Sequence, residues 1–207
     1  MKLKYNSWEQ INLQTYNEIK KIVTDTDLQD IDKNAELLAI LYDSPVDDIY
    51  KLKVSQIQNM LRESSFITEL PKPKKLSLKH IVINGKKYDI VTDISKYTVA
   101  QYVDFQTLVK KGDEYAANIL ATIIIPYGYA YGDDYDINKV VEEINNYLPA
   151  TLAISLVFFY TKKLMNSTNR TAIFLEAMTM TIKKEKKTEK LWKKVKKNLR
   201  KMRHIFG

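Results

Sequence analysis

PKPKKLSLKHIVINGKKYDIV, residues 71–91, divides this chain. Pro71 and Pro73, one residue apart, cannot sit inside a helix, and the neighbouring lysines keep the segment solvated. Residues 71–75 therefore read as a linker between modules. After it, LSLKHIVI and KKYDIV flank Asn84-Gly85. That dipeptide is a strong hairpin signal, because a type I′ turn needs positive φ at both central positions. A lone hairpin is marginal in water, so this one must pack on helices or pair with another chain. It is the one clear β signal in the sequence. The expected fold is therefore mainly α: a multi-helix bundle with one small β-hairpin (76–92) and a long basic C-terminal helix.

Before the linker, residues 1–70 read as a helical module. Ser7 and Gln10 have the spacing of a capping box. Trp8, Ile11, Tyr16, Ile19 and Ile22–Val23 then recur at roughly the helical period. A second helix is expected over Lys33–Tyr42. A third opens at Ser44-Pro45, with Asp47 and Asp48 where the helix dipole favours negative charge. A fourth runs from Val54 or Ser55 to about Glu69.

A second helical module follows over 93–182. Thr98 and Gln101 suit another capping box, for VAQYVDFQTLVKK, which Gly112 ends. Asp113 starts EYAANILATIII, expected as one helix closed by Pro126. After a loop rich in tyrosine and glycine, Asp136 caps a helix to about Leu148. Pro149 opens an apolar helix to about Met165, and a last helix is expected from about Thr171.

The chain has 207 residues, 45% of them hydrophobic, which suffices for one ordinary core or two small ones. It contains no cysteine, which excludes disulfides, thiolate metal sites and a cysteine nucleophile; a reduced, intracellular setting fits. MKLKYNSWEQ lacks the apolar core of a signal peptide. The apolar runs 150–160 and 119–125 fall short of the roughly 20 residues that span a bilayer, so no membrane span is expected. The net charge of +8 is unevenly placed: residues 183–207 carry +10 and residues 1–182 carry −2. Such asymmetry bears on partners rather than on fold.

Catalytic motifs are not apparent. The two histidines, His80 and His204, lie in the hairpin and the basic tail. No HExxH, GxSxG elbow, Walker loop or dinucleotide fingerprint occurs, so neither cofactor nor metal is expected. Asp133, Asp134 and Asp136 are close enough to hold a divalent cation, but the glycine and closing glutamate of an EF-hand loop are missing. Asp136 reads better as a helix cap and Asp133-Asp134 as a solvated turn. Glu142-Glu143 reads as early-turn dipole compensation. Tyr127, Tyr129 and Tyr131, with Tyr135, either form a partner-binding surface or cover neighbouring helix ends.

The tail is a basic amphipathic helix. Leu191, Val195, Leu199, Met202 and Phe206 form one apolar stripe, with Trp192 beside it as an interface anchor. Protein docking is the favoured use of this stripe. Nucleic acid is second, through Lys193, Lys194, Lys196, Lys197, Arg200, Lys201 and Arg203. An anionic membrane surface and the chain's own body are the other occupants considered. The body itself offers no aromatic-and-basic platform of the kind that binds single strands.

Trp8, DISKYTVAQYVDFQTLV (93–109), ILATIIIPYGY (119–129) and the FFY of 158–160 together resemble small proteins of bacteriophage tail-gene regions, particularly in phages of gut Bacteroidetes. The resemblance spans about residues 5–165 as a pattern and brings no catalytic motif. It implies a non-enzymatic assembly role, either as a tail assembly chaperone or as a minor virion component. Implied partners are other phage structural proteins of tail, neck or tape-measure type, or further copies in a homo-oligomeric ring. The implied location is the virion, or the host cytoplasm during assembly. The basic tail departs from the chaperone pattern and suits a protein retained near DNA or an acidic surface.

Overall fold

The computed structural model describes residues 1–167 apart from Ser77 and Thr92. The basic segment, with its stripe, Trp192 and its cations, lies outside the described residues, as does the helix expected from Thr171. The chain is mainly helical, with one small antiparallel sheet. Its described residues divide into two compact units, residues 1–11 with 15–71, and residues 12–14 with 72–167.

In the first unit the expected opening helix is replaced by a 3-10 turn at Trp8–Gln10, an extended Ile11, and then α1 (Leu13–Thr24). Ser7 makes no side-chain cap. Gln10 instead accepts from the Asn6 N–H at 2.9 Å. Trp8 is buried, its rings edge-on to Tyr16 and Phe66, and its indole N–H donates to the Glu69 carbonyl at 2.7 Å. α2 (Asp30–Tyr42) starts three residues earlier than expected, with Asp30 and Asp32 in its first turn. It ends on Asp43 in the left-handed region, φ 51°. α3 (Val46–Tyr50) and α4 (Val54–Glu63) pack against α2. α4 stops at Glu63, short of Glu69, because a 3-10 turn at Ser65–Thr68 takes over and buries Ile67. Tyr42 donates to the Glu63 carboxylate at 2.8 Å. Burial first, and that carboxylate second, push its hydroxyl up to about 12.

The second unit holds the sheet. β1 (His80–Ile83) and β2 (Lys86–Ile90) form the expected hairpin, with Asn84 at φ 48° and Gly85 at φ 74° in its turn. The hairpin is not two-stranded, however. β3 (Ile124–Pro126) pairs with β2 in the register Tyr88↔Pro126, Asp89↔Ile125, Ile90↔Ile124. This corrects the expectation of one helix from Asp113 to Pro126. The helix proper, α6, covers Ala116–Ala121, and the chain then turns through Thr122 and Ile123 into the strand. The β-branched Ile124 and Ile125 suit a strand, and the open edge of β2 supplies the backbone partners they need.

α5 (Val99–Lys111) is capped by Thr98, whose hydroxyl accepts from the Gln101 N–H at 3.1 Å. The capping box is half-formed. Gln101 is buried and donates its amide to the Thr122 carbonyl at 2.7 Å, satisfying the end of α6 rather than the start of α5. α7 (Ile137–Tyr147) has Asp136 as its expected cap, accepting from the N–H groups of Asn138 and Lys139. α8 (Ala150–Ser167) follows Pro149. α6 packs against both α7 and α8 through fully buried Leu120, Ala121, Ile144 and Ala153. Among the described residues, no helix is long and apolar enough to cross a membrane.

Candidate functional site

The hairpin has two faces, set by the period of two along a strand. Ile83, Tyr88 and Ile90 point into the core, with Ile124 of β3. His80, Val82, Lys87 and Asp89 point the other way. The inner face is anchored by a residue that sequence reasoning assigned to the helix dipole alone. Glu143, in the second turn of α7, is buried beneath the hairpin. Its carboxylate accepts from the Tyr88 hydroxyl on one oxygen and from the Lys86 ammonium on the other. Burial alone would raise the Glu143 carboxyl; the Lys86 and Tyr88 donors outweigh it and hold it below its usual value. Burial and the same carboxylate push the Tyr88 hydroxyl up. The carboxylate engages both of these donors, and its observed role is to clasp hairpin to helix.

The outer face differs. Lys87 lies directly over the ring of Tyr127, its ammonium 3.7 Å from the centroid. The Tyr127 N–H donates to the Lys87 carbonyl, extending the β3 ladder by one residue. The His80 ring approaches the same tyrosine edge-on at 6.0 Å. His80 Nδ1 lies 2.6 Å from the Asp89 carboxylate, its cross-strand neighbour. This pairing of a basic and an aromatic side chain within the body is not visible in the sequence. Lysine and tyrosine forty positions apart in sequence meet only because β3 pairs with β2.

The tyrosine loop divides in two. Tyr131 donates to Asp104 of α5 at 2.7 Å, and burial followed by that contact pushes its hydroxyl up. Tyr135 is half-buried and stacks edge-on against Tyr129. Tyr127 and Tyr129 remain 55% and 50% exposed. Tyr131 and Tyr135 are thus packed on the fold, while Tyr127 and Tyr129 face outward. Asp133 accepts from the Ala130 N–H and Asp136 caps α7, so these carboxylates serve local backbone. Among the described residues, no group of three His, Cys, Asp or Glu could hold a metal ion.

Two further surfaces belong to single units. In the first, an open groove is lined by Glu18, Lys21, Ile22, Asp25, Glu36 and Ile40. In the second, α5 carries apolar residues that the fold does not use. Phe105 is buried, yet Val99 and Val103, one turn apart, are 83% and 51% exposed. Compared with protein-family models, curated proteins and solved structures, the chain matches none.

Proposed function

We propose that this chain is a non-enzymatic bacteriophage structural or assembly protein of the tail or neck region, acting through protein–protein contacts. The observation that carries the reading is the exposed pair Val99 and Val103 on α5, inside the stretch 93–109 that bears the resemblance to phage tail-region proteins. A partner that covers them would bury an apolar spot presented at helical spacing. The apolar stripe of the C-terminal segment, Leu191, Val195, Leu199, Met202 and Phe206, is a second docking element in this reading. Accessory binding of nucleic acid by residues 183–206 is the second reading, favoured by their charge.

Capture from infected cells tests this. The full chain should recover phage tail or neck proteins, and the Val99→Asp/Val103→Asp variant should lose them while melting as the parent does. Aspartate at 99 suits the first turn of α5, and position 103 is half-exposed, so with the melting unchanged lost capture would report lost contact. Equal capture by both chains would remove α5 from the interface. Recovery of nucleic acid alone, released by moderate salt, would replace the assembly reading with the second one.

A further inference from the structure

Residues 72–88 contain six lysines and no carboxylate. Lys86 is held by Glu143. Lys72, Lys74, Lys75, Lys79 and Lys87 are all exposed, on the hairpin and on the strap that leads into it. The tyrosines meet this charge at a specific place. Pro126 to Tyr129 form a turn closed by the Tyr129 N–H on the Pro126 carbonyl at 3.0 Å, with Gly128 at φ 87° in its third position. That turn carries Tyr127 and Tyr129 at the end of β3, half-exposed, with the Lys87 ammonium already on the Tyr127 ring. Asp89, the carboxylate on this face, is engaged by His80.

We infer that the outer face of the hairpin, with the turn after β3, is a binding site for single-stranded nucleic acid. Bases stack on Tyr127 and Tyr129, and phosphates are drawn by Lys87 on the same face and by the exposed lysines of the 72–75 strap. Charge complementarity selects a polyanion. The exposed rings select one with aromatic bases free to stack, which a duplex does not offer. The site is separate from α5 and does not depend on the protein partner proposed above.

The test uses the full chain and a fluorescent oligothymidylate of about 15 nucleotides, within the site sizes of single-strand binders. Anisotropy is followed across a salt series. Because residues 183–206 are also basic, substitutions within the site must carry the result. Tyr127→Ala should weaken binding about 5- to 150-fold, while Tyr127→Phe, which keeps the ring, should stay within about twofold. Lys87→Ala should lower the log–log salt slope by about 0.7. An oligonucleotide carrying 5-iodouracil should photocrosslink to Tyr127 or Tyr129. The inference is overturned if the chain does not bind, if Tyr127→Ala binds as the parent does, or if adducts map only to residues 183–206. It is also overturned if polyglutamate displaces the oligonucleotide as well as unlabelled oligothymidylate does, which would make the face a site for acidic protein.

Discussion

Replacing Glu143 with glutamine should loosen the hairpin from α7 without unfolding the rest of the second unit. The Glu143 side chain is only 8% exposed and accepts from two donors, whereas the side chain of Lys86 is 53% exposed. Lys86 can therefore turn to water when the charge is removed, and the full cost of breaking a buried ion pair, about 3–5 kcal/mol, does not apply. Tyr88 cannot do this: the residue is 3% exposed, and its hydroxyl depends on the carboxylate. Losing one charge-assisted bond while keeping a neutral acceptor should cost about 1.5–2 kcal/mol. Amide hydrogen exchange is the suitable assay, because with two compact units a single global transition is not assured. Residues 80–90 should exchange about 10- to 30-fold faster in Glu143→Gln. Tyr88→Phe should recover part of the loss in the double variant, since no buried hydroxyl then depends on the weaker neutral acceptor. Acid supplies an independent check. The carboxyl is lower in the fold than in the unfolded chain, so its stabilisation is complete above the ordinary glutamate value of about 4.3 and is lost as pH falls through the depressed one. The parent should show that loss of hairpin protection and Glu143→Gln should lack it. If exchange at residues 80–90 is unchanged in Glu143→Gln and the acid response is identical, the clasp does not hold the hairpin.

Other perturbations test separate features. Gly85→Ala should destabilise the hairpin by about 1 kcal/mol, because φ is 74° there although space for the methyl is open; exchange at residues 80–90 would show it. Asp136→Ala should cost about 1 kcal/mol by leaving two N–H groups of α7 uncapped, seen as faster exchange in that helix's first turn. Trp8→Phe keeps an aromatic ring but loses the bond to the Glu69 carbonyl, so the first unit should melt lower, by about 1–3 kcal/mol in denaturant. Tyr42 is raised to about 12 in the fold against about 10 when unfolded, so its contribution should be lost as pH rises from about 10 through 12. Ultraviolet titration of Tyr42→Phe should lack one late-titrating phenol.

Local chemistry was legible where it acts within a few residues. Asn84-Gly85 specified the hairpin turn, Asp136 the start of α7, and Pro71-Lys72-Pro73 an interruption in the helical pattern. Failures came where a residue answers to a distant one. Ile123–Ile125 is a short apolar run, and periodicity cannot tell the end of a buried helix from a strand; only the edge of β2 decided it. Gln101 has capping-box spacing, but the Thr122 carbonyl claims its amide. Glu143 has the position of a solvated helix carboxylate, and its role depends on Tyr88 and Lys86, more than fifty residues earlier.

What the sequence determined by itself is thus the mainly helical class, the hairpin with its turn, the caps at Thr98 and Asp136, and a strong separation of charge between body and tail. These follow from φ preferences, hydrogen bonds a few residues long, and counting. Tertiary structure alone decided the third strand, the buried clasp, and the meeting of Lys87 with Tyr127, because each joins residues whose separation along the chain carries no local signal. Pairing β3 to β2 places residue 127 beside residue 87, and that single long-range register turns a lysine-rich hairpin and a tyrosine loop into one surface.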